Sequence, residues 1–280
     1  MPKVLSRDGV LLSYELHDYT NPWAKAPILV LQHGYSRSST FWYSMIPYLA
    51  RFYRVVCPDL RGLGKSTEGF TLEKGVSAEL YLSDLLAIID ATGERTVHYA
   101  GESLGGMIGM ALAALHPDRI RTLSVFAAPL EINKDLQRKH ALDQPTWGDA
   151  LRKLGSEGWC RAMNGSTRFP PDTDPGLLEW FATEGGKSNV DVLIAMAELA
   201  AKVNVEPYLG RIAAPMLGIY PSAGPAMTGG QLDKIKAGVR NLSIITIPSR
   251  YHMVYVLQPA VCARHVLYFM ATHDGIPCSE

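Results

Sequence analysis

The sequence predicts an α/β fold: a mainly parallel, doubly wound sheet with helices on both faces and a helical segment inserted into it. Three observations point there. Residues 27–32, Pro-Ile-Leu-Val-Leu-Gln, are apolar with little alternation, as a strand covered on both faces requires. Strand-like and helix-like stretches alternate along the first 127 residues. The run from Thr96 to Met110 is β-rich up to Gly101-Glu102-Ser103-Leu104-Gly105-Gly106 and helical beyond it.

Taken in order, residues 3–5 and 10–16 read as a hairpin around Arg7-Asp8-Gly9. The buried strand 27–32 ends in His33-Gly34-Tyr35-Ser36, and residues 40–50 follow as a helix. Residues 53–57 form a strand running into the turn Asp59-Leu60-Arg61-Gly62, where Asp59 and Arg61 are expected to fix the loop by a salt bridge. Residues 75–91 make an amphipathic helix carrying Leu80, Leu82, Leu85, Leu86, Ile88 and Ile89. The helix after Ser103 stops at His116-Pro117, and residues 120–127 are the next strand.

Between residues 129 and 207 the pattern changes to helices separated by turn-rich stretches such as Phe169-Pro-Pro-Asp-Thr-Asp-Pro-Gly176. This segment carries Trp147, Trp159, Met163, Phe169, Trp180, Phe181 and Met196, an apolar set that suits either attachment to the sheet or the lining of a pocket favouring apolar substrates. Strands resume at 215–220 and 242–247, and residues 256–272 form the last helix. The expected organisation is a core over 1–129 and 207–280 with an insertion at 130–206.

Composition narrows the partners. With 27 basic and 27 acidic residues the formal net charge is zero, which gives no electrostatic case for nucleic acid or an anionic membrane and favours a small-molecule substrate. Cys57, Cys160, Cys262 and Cys278 show no metal-ligand spacing, so no metal is expected, and their scatter suits a reducing compartment. A polar N-terminus and the lack of a long apolar run make cytoplasm the expected location. No GxxxxGK[ST] or dinucleotide pattern occurs, and no cofactor is expected.

Gly-x-Ser-x-Gly at a strand-to-helix junction reads as a nucleophile elbow. The tight turn pushes a serine hydroxyl out of the sheet, and its glycines stand where a Cβ would strike a neighbouring strand or helix. Ser103 is the expected nucleophile. Together with His33-Gly34 after a buried strand, Asp59-Leu-Arg-Gly-Leu-Gly-Lys-Ser66 after the next, and Tyr251-His252-Met253 before the last helix, this motif order resembles the α/β-hydrolase superfamily over nearly the whole chain. The resemblance is to the cap-bearing branch of enol-lactonases, carboxylesterases and carbon–carbon bond hydrolases, and it implies that 130–206 is a helical cap.

The resemblance implies a serine hydrolase acting on a carboxylic ester, lactone or activated amide. A carbon–carbon bond hydrolase of vinylogous diketones and a ligand-binding relative with a degraded triad are the alternatives. A serine hydroxyl is a weak nucleophile at neutral pH and needs a base, and His252 occupies the family's histidine position. His33 is expected to serve loop architecture. The oxyanion hole should be the backbone N–H groups of Leu104 and Tyr35.

The acid departs from the family pattern. The usual aspartate is absent from Pro221-Ser222-Ala223-Gly224-Pro225, and the alternative position, Phe126-Ala127-Ala128-Pro129, has no carboxylate either. Glu131 is the nearest substitute, with a Ser–His dyad supported by Ser222 or water as the other possibility. Glu102 is expected to be a buried hydrogen-bonding residue turned away from substrate.

Overall fold

The computed structural model describes residues 1–224 and 230–275, apart from the Ser166 side chain; Pro225 and Cys278 lie outside the described residues. Eight strands form one sheet in the order β1-β2-β4-β3-β5-β6-β7-β8: β1 Lys3–Leu5, β2 Leu11–His17, β3 Ile28–Gln32, β4 Arg54–Pro58, β5 Val97–Glu102, β6 Ile120–Phe126, β7 Met216–Pro221 and β8 Leu242–Ile247. β1 and β2 are antiparallel, β2 joins β4 antiparallel, and all other pairs are parallel. β3 is buried along its whole length, which is why it reads as an almost unbroken apolar run, and β5 is fully buried although it carries His98 and Glu102. In such a sheet the ligand crevice opens at the carboxyl ends of the strands, where β3 delivers His33-Gly34 beside Glu102 and Ser103 of β5.

The helices are α1 Ile46–Leu49, α2 Ala78–Ala91, α3 Leu104–Leu115, α4 Lys134–Ala141, α5 Trp147–Met163, α6 Pro175–Gly186, α7 Val190–Ala200, α8 Gln231–Gly238, α9 Val254–Leu257 and α10 Pro259–Asp274. Three differ from expectation. The single helix over 40–50 is divided into a 3-10 turn, Ser39–Trp42, and α1, because Pro47 has no N–H to continue a helix from the turn. Pro259 likewise separates α9 from α10, so the long terminal helix starts later than residue 256. The sequence pattern gave no sign of α8, a short polar helix with only Gln231, Leu232 and Ile235 buried.

Helices α4 to α7 all lie between β6 and β7, and an isolated bridge between Glu131 and Asn204 ties the two ends of the segment. A π-helical turn, Asn164–Arg168, follows α5. One hydrophobic cluster runs from Val30, Tyr99 and Val125 of the sheet into Trp147, Leu151, Trp159, Met163, Leu193 and Met196. A second joins Leu31 and Phe126 to Trp42, Phe169, Phe181 and Tyr255. The aromatic residues of the inserted segment are therefore core shared with the sheet; Trp180, only partly buried, rests on Phe41 and Tyr43. Among the described residues Cys57, Cys160 and Cys262 are buried and free, and no helix is long and apolar enough to cross a membrane.

Candidate active site

Ser103 takes φ 52° and ψ −116° at the start of α3, a conformation that costs roughly 1–3 kcal/mol and persists only where its surroundings enforce it. Enforcement is visible. Ser103 N–H donates to Phe126 O at 3.0 Å, Met107 N–H donates to Ser103 O at 3.0 Å, and the Tyr99 hydroxyl donates to Gly105 O at 2.7 Å. A Cβ on Gly101 would strike the Gly105 carbonyl, one on Gly105 the Gln32 carbonyl, and one on Gly106 the Ala128 methyl. The elbow can be built only because those positions carry no side chain.

Two backbone amides are the expected oxyanion donors. Leu104 N–H opens α3, where the first turn of a helix leaves its donors unused, and Tyr35 N–H lies in the loop after β3. Neither donates to a protein acceptor among the described residues. That loop is fixed from beneath by His33, whose Nε2 accepts from Leu60 N–H at 3.0 Å and whose Nδ1 donates to Gly34 O at 2.8 Å. This pairing defines one neutral tautomer and gives His33 the architectural place expected of it. Asp59 does hold its loop, but through backbone amides: it accepts from Ser39 N–H at 2.6 Å and Lys65 N–H at 2.8 Å. Arg61 pairs instead with Asp84 and Asp8.

His252 is held by its backbone, which donates to Thr167 O at 3.0 Å, and its side chain lines the same cavity as Ser103. No hydrogen bond joins Ser103 Oγ to His252 among the described residues. The carboxylate facing the imidazole is that of Glu102, with Oε1 3.0 Å from His252 Nε2. The ring N–H does not aim at that oxygen, so the contact is an ion-pair approach rather than an aligned hydrogen bond, and Oε1 otherwise lacks a partner.

Glu102 is completely buried, and its other oxygen lies 3.3 Å from Arg37 Nη1. Burial by itself would raise its pKa, but Arg37 and then His252 outweigh that effect and hold it at about 2. Gly34 makes this placement possible, since any Cβ there would collide with the Glu102 carboxylate. Glu102 is buried as expected, but it is turned toward the histidine rather than being a bystander.

Glu131 is not brought to His252. Its backbone is tied to Gln231, which accepts Glu131 N–H at 3.2 Å and donates to Glu131 O at 3.3 Å, and its charge acts on Lys234 of α8. Ser222 is turned away too, exchanging hydrogen bonds with Ser249, donating to its carbonyl at 3.0 Å and accepting from its N–H at 3.2 Å. The carboxylate that the structure brings to His252 is therefore that of Glu102, one residue before Ser103, and not that of Glu131.

A cavity of about 70 Å³ opens over Ser103, Leu104 and His252, walled by Tyr35, Arg37, Trp147, Trp159, Met163 and Arg168. Tyr35 lies 4.5 Å from Trp147 and 5.5 Å from Trp159 between ring centroids, and its hydroxyl donates to Leu193 O of α7 at 2.6 Å. Its side chain therefore ties the loop after β3 to the inserted helices.

Residues 27–159 match the family model described as alpha/beta hydrolase fold. The chain has the α/β-hydrolase fold. It is 24% identical over 273 residues to "Putative carbamate hydrolase RutD" of Agrobacterium fabrum, covering 94% of this chain and 99% of that protein. It is 37% identical over 112 residues to the protein of the same name from Stutzerimonas stutzeri, a stretch covering 40% of this chain and 41% of that protein. Among solved structures, the enol-lactonase from Burkholderia xenovorans LB400 superposes with a TM-score of 0.84 at 21% identity, over 96% of this chain and 100% of that one. A hydrolase from Pseudomonas aeruginosa PA01 superposes with a TM-score of 0.82 at 24% identity, over 96% of this chain and 97% of that one. At those identities the structural matches establish the fold and no more.

Proposed function

We propose that the protein is a serine hydrolase that cleaves a small carboxylic ester, lactone or activated amide through an acyl-enzyme, with Ser103 as nucleophile, His252 as base and Glu102 as the acid. Ser103 Oγ attacks the carbonyl carbon as its proton passes to His252, and the oxyanion that forms is met by Leu104 and Tyr35 N–H. Collapse of this intermediate expels the leaving group, which takes the proton from His252. A water molecule repeats the sequence on the acyl-enzyme and frees the acid.

With His252 Nε2 lying 3.0 Å from Glu102 Oε1, the other ring nitrogen is the one left for the Ser103 proton, and the buried carboxylate stabilises the imidazolium formed on transfer. The inserted helices act as the cap that dries the site. A cavity of about 70 Å³ is under half of the roughly 150 Å³ that admits benzene, so the acyl part is small or the cap yields to admit it.

The observation that supports this reading is the strained Ser103 lining one cavity with a histidine whose ring lies 3.0 Å from a buried carboxylate. The relatives named "Putative carbamate hydrolase RutD" support attack on an acyl carbon. A fluorophosphonate probe should label the protein at Ser103 alone, and p-nitrophenyl acetate should be turned over. Ser103→Ala should abolish both while leaving the circular dichroism spectrum unchanged. Labelling that survives in the variant would sink the assignment.

A further inference from the structure

The charges around the cavity do not balance. Arg37 is offset by Glu102, and its Nη1 also donates to Tyr35 O at 3.0 Å. Arg168, 95% buried on the π-helical turn after α5, has no carboxylate within ion-pair distance among the described residues, and its Nη1 is buried without a hydrogen-bond acceptor. Its guanidinium stands 5.0 Å from the centre of the Trp159 ring, and the residue is one of those lining the cavity. His140 adds no charge of either sign, because burial, with Arg168 close by, pushes it down to about 3. Burial, reinforced by Arg37, lowers Arg168 itself only to about 10, so it stays charged at neutral pH.

The position of this cation is fixed relative to the proposed chemistry. Thr167 O accepts His252 N–H at 3.0 Å and Arg168 O accepts Met253 N–H at 3.3 Å, so the turn carrying Arg168 is docked directly on the histidine loop. A buried guanidinium with an unused donor is costly unless an anion arrives to pair with it, and its planar fork suits a carboxylate. We propose that Arg168 is a specificity-determining residue that binds a carboxylate carried by the substrate's acyl part, so that the enzyme hydrolyses short monoesters of dicarboxylic acids in preference to neutral esters. The proposal rests on the serine-hydrolase reading and departs from the apolar preference that the aromatic content of residues 130–206 suggests. The small cavity limits the chain between carboxylate and scissile carbonyl to a few carbons.

Monoethyl succinate and ethyl butyrate differ by a carboxylate in place of a methyl group and form a direct test, followed by ethanol release. Wild-type kcat/KM should favour monoethyl succinate by at least about tenfold, and Arg168→Met should lose roughly 100-fold on it while staying within about threefold on ethyl butyrate. Arg168→Lys, which keeps the charge but not the fork, should fall between. In parallel, succinate and inorganic phosphate are titrated calorimetrically into the Ser103→Ala protein, where no turnover is needed. Succinate should bind, phosphate should bind markedly more weakly, and Arg168→Met in the Ser103→Ala background should abolish succinate binding. A wild-type preference for ethyl butyrate, equal losses on both esters, phosphate binding as well as succinate, or no succinate binding would each overturn the proposal. Absence of fluorophosphonate labelling would instead overturn the serine-hydrolase reading, leaving the succinate titration to decide the carboxylate site by itself. If Arg168→Met does not fold, the wild-type ester ratio, the Ser103→Ala titration and Arg168→Lys still decide.

Discussion

The carboxyl ends of β5 and β7 reach the same neighbourhood with unequal chemistry. At the end of β5 stand Glu102, buried with its carboxylate 3.0 Å from His252, and then Ser103, which lines the cavity. β7 ends in Ser222-Ala223-Gly224, which is spent on backbone packing: Ser222 on Ser249, Ala223 N–H on Ser249 O at 3.1 Å, and Gly224 at φ 115° with the Arg250 carbonyl where a Cβ would stand. On the proposed reading, the acid would sit at the end of β5 rather than at the end of β7, with the histidine in the loop before α9. The lesson is that an acid has to meet a position in space rather than a place in the chain, provided the neighbouring backbone is cut back to receive it. Gly34 is that cut.

The sharpest break in this comparison is Glu102→Gln. It should lower kcat by roughly 10³- to 10⁴-fold, because an amide cannot stabilise the imidazolium, whereas Glu131→Gln should stay within about twofold. Steady-state rates on p-nitrophenyl acetate decide between them, and a large loss in the Glu131 variant would reverse the assignment. Gly34→Ala comes next. Forcing a methyl into the carboxylate should destabilise by about 1–3 kcal/mol and displace Glu102, visible as a lower denaturation midpoint together with reduced kcat.

Restoring the acid to β7 tests the other side. Gly224→Asp should not rescue Glu102→Gln, since the left-handed backbone and the Arg250 carbonyl leave no room for a side chain. Recovery of rate in that double variant would show that β7 remains competent.

The smallest expected effect is in stability against pH. The folded-state value of about 2 for Glu102 lies below the unfolded value of about 4.3, so its ionised form stabilises the fold fully above pH 4.3 and progressively less as the pH falls toward 2. Urea midpoints of wild type and Glu102→Gln should therefore converge between about pH 5 and pH 2. A constant gap across that range would mean that the ion pairs with Arg37 and His252 contribute nothing.

Much of this site is legible in the sequence because it is local. The elbow is a run of glycines around one serine, the loop after β3 opens with His33-Gly34, and His252 sits between a strand and a helix that periodicity places well. The parallel sheet follows from the unbroken apolar strands. Glu102 was harder to read because its role depends on where the end of β5 lies relative to the loop before α9, a distance no local pattern encodes. A signal did exist: a carboxylate at the end of a fully buried strand must have a partner, and Gly34 and Arg37 lay only one strand away. The split of helix 40–50 was likewise visible in Pro47, whereas α8 buries too few residues to leave a periodic trace.

The two backbone hydrogen bonds from His252 and Met253 to Thr167 and Arg168 bind the histidine loop to the inserted helices. Access and competence are thereby mechanically linked. A movement that lifts the Asn164–Arg168 turn to admit a molecule larger than the closed cavity also removes two of the anchors that place the imidazole, and only its return restores them. If Ser103 and His252 act as proposed, the protein would be catalytically assembled only with that turn in place.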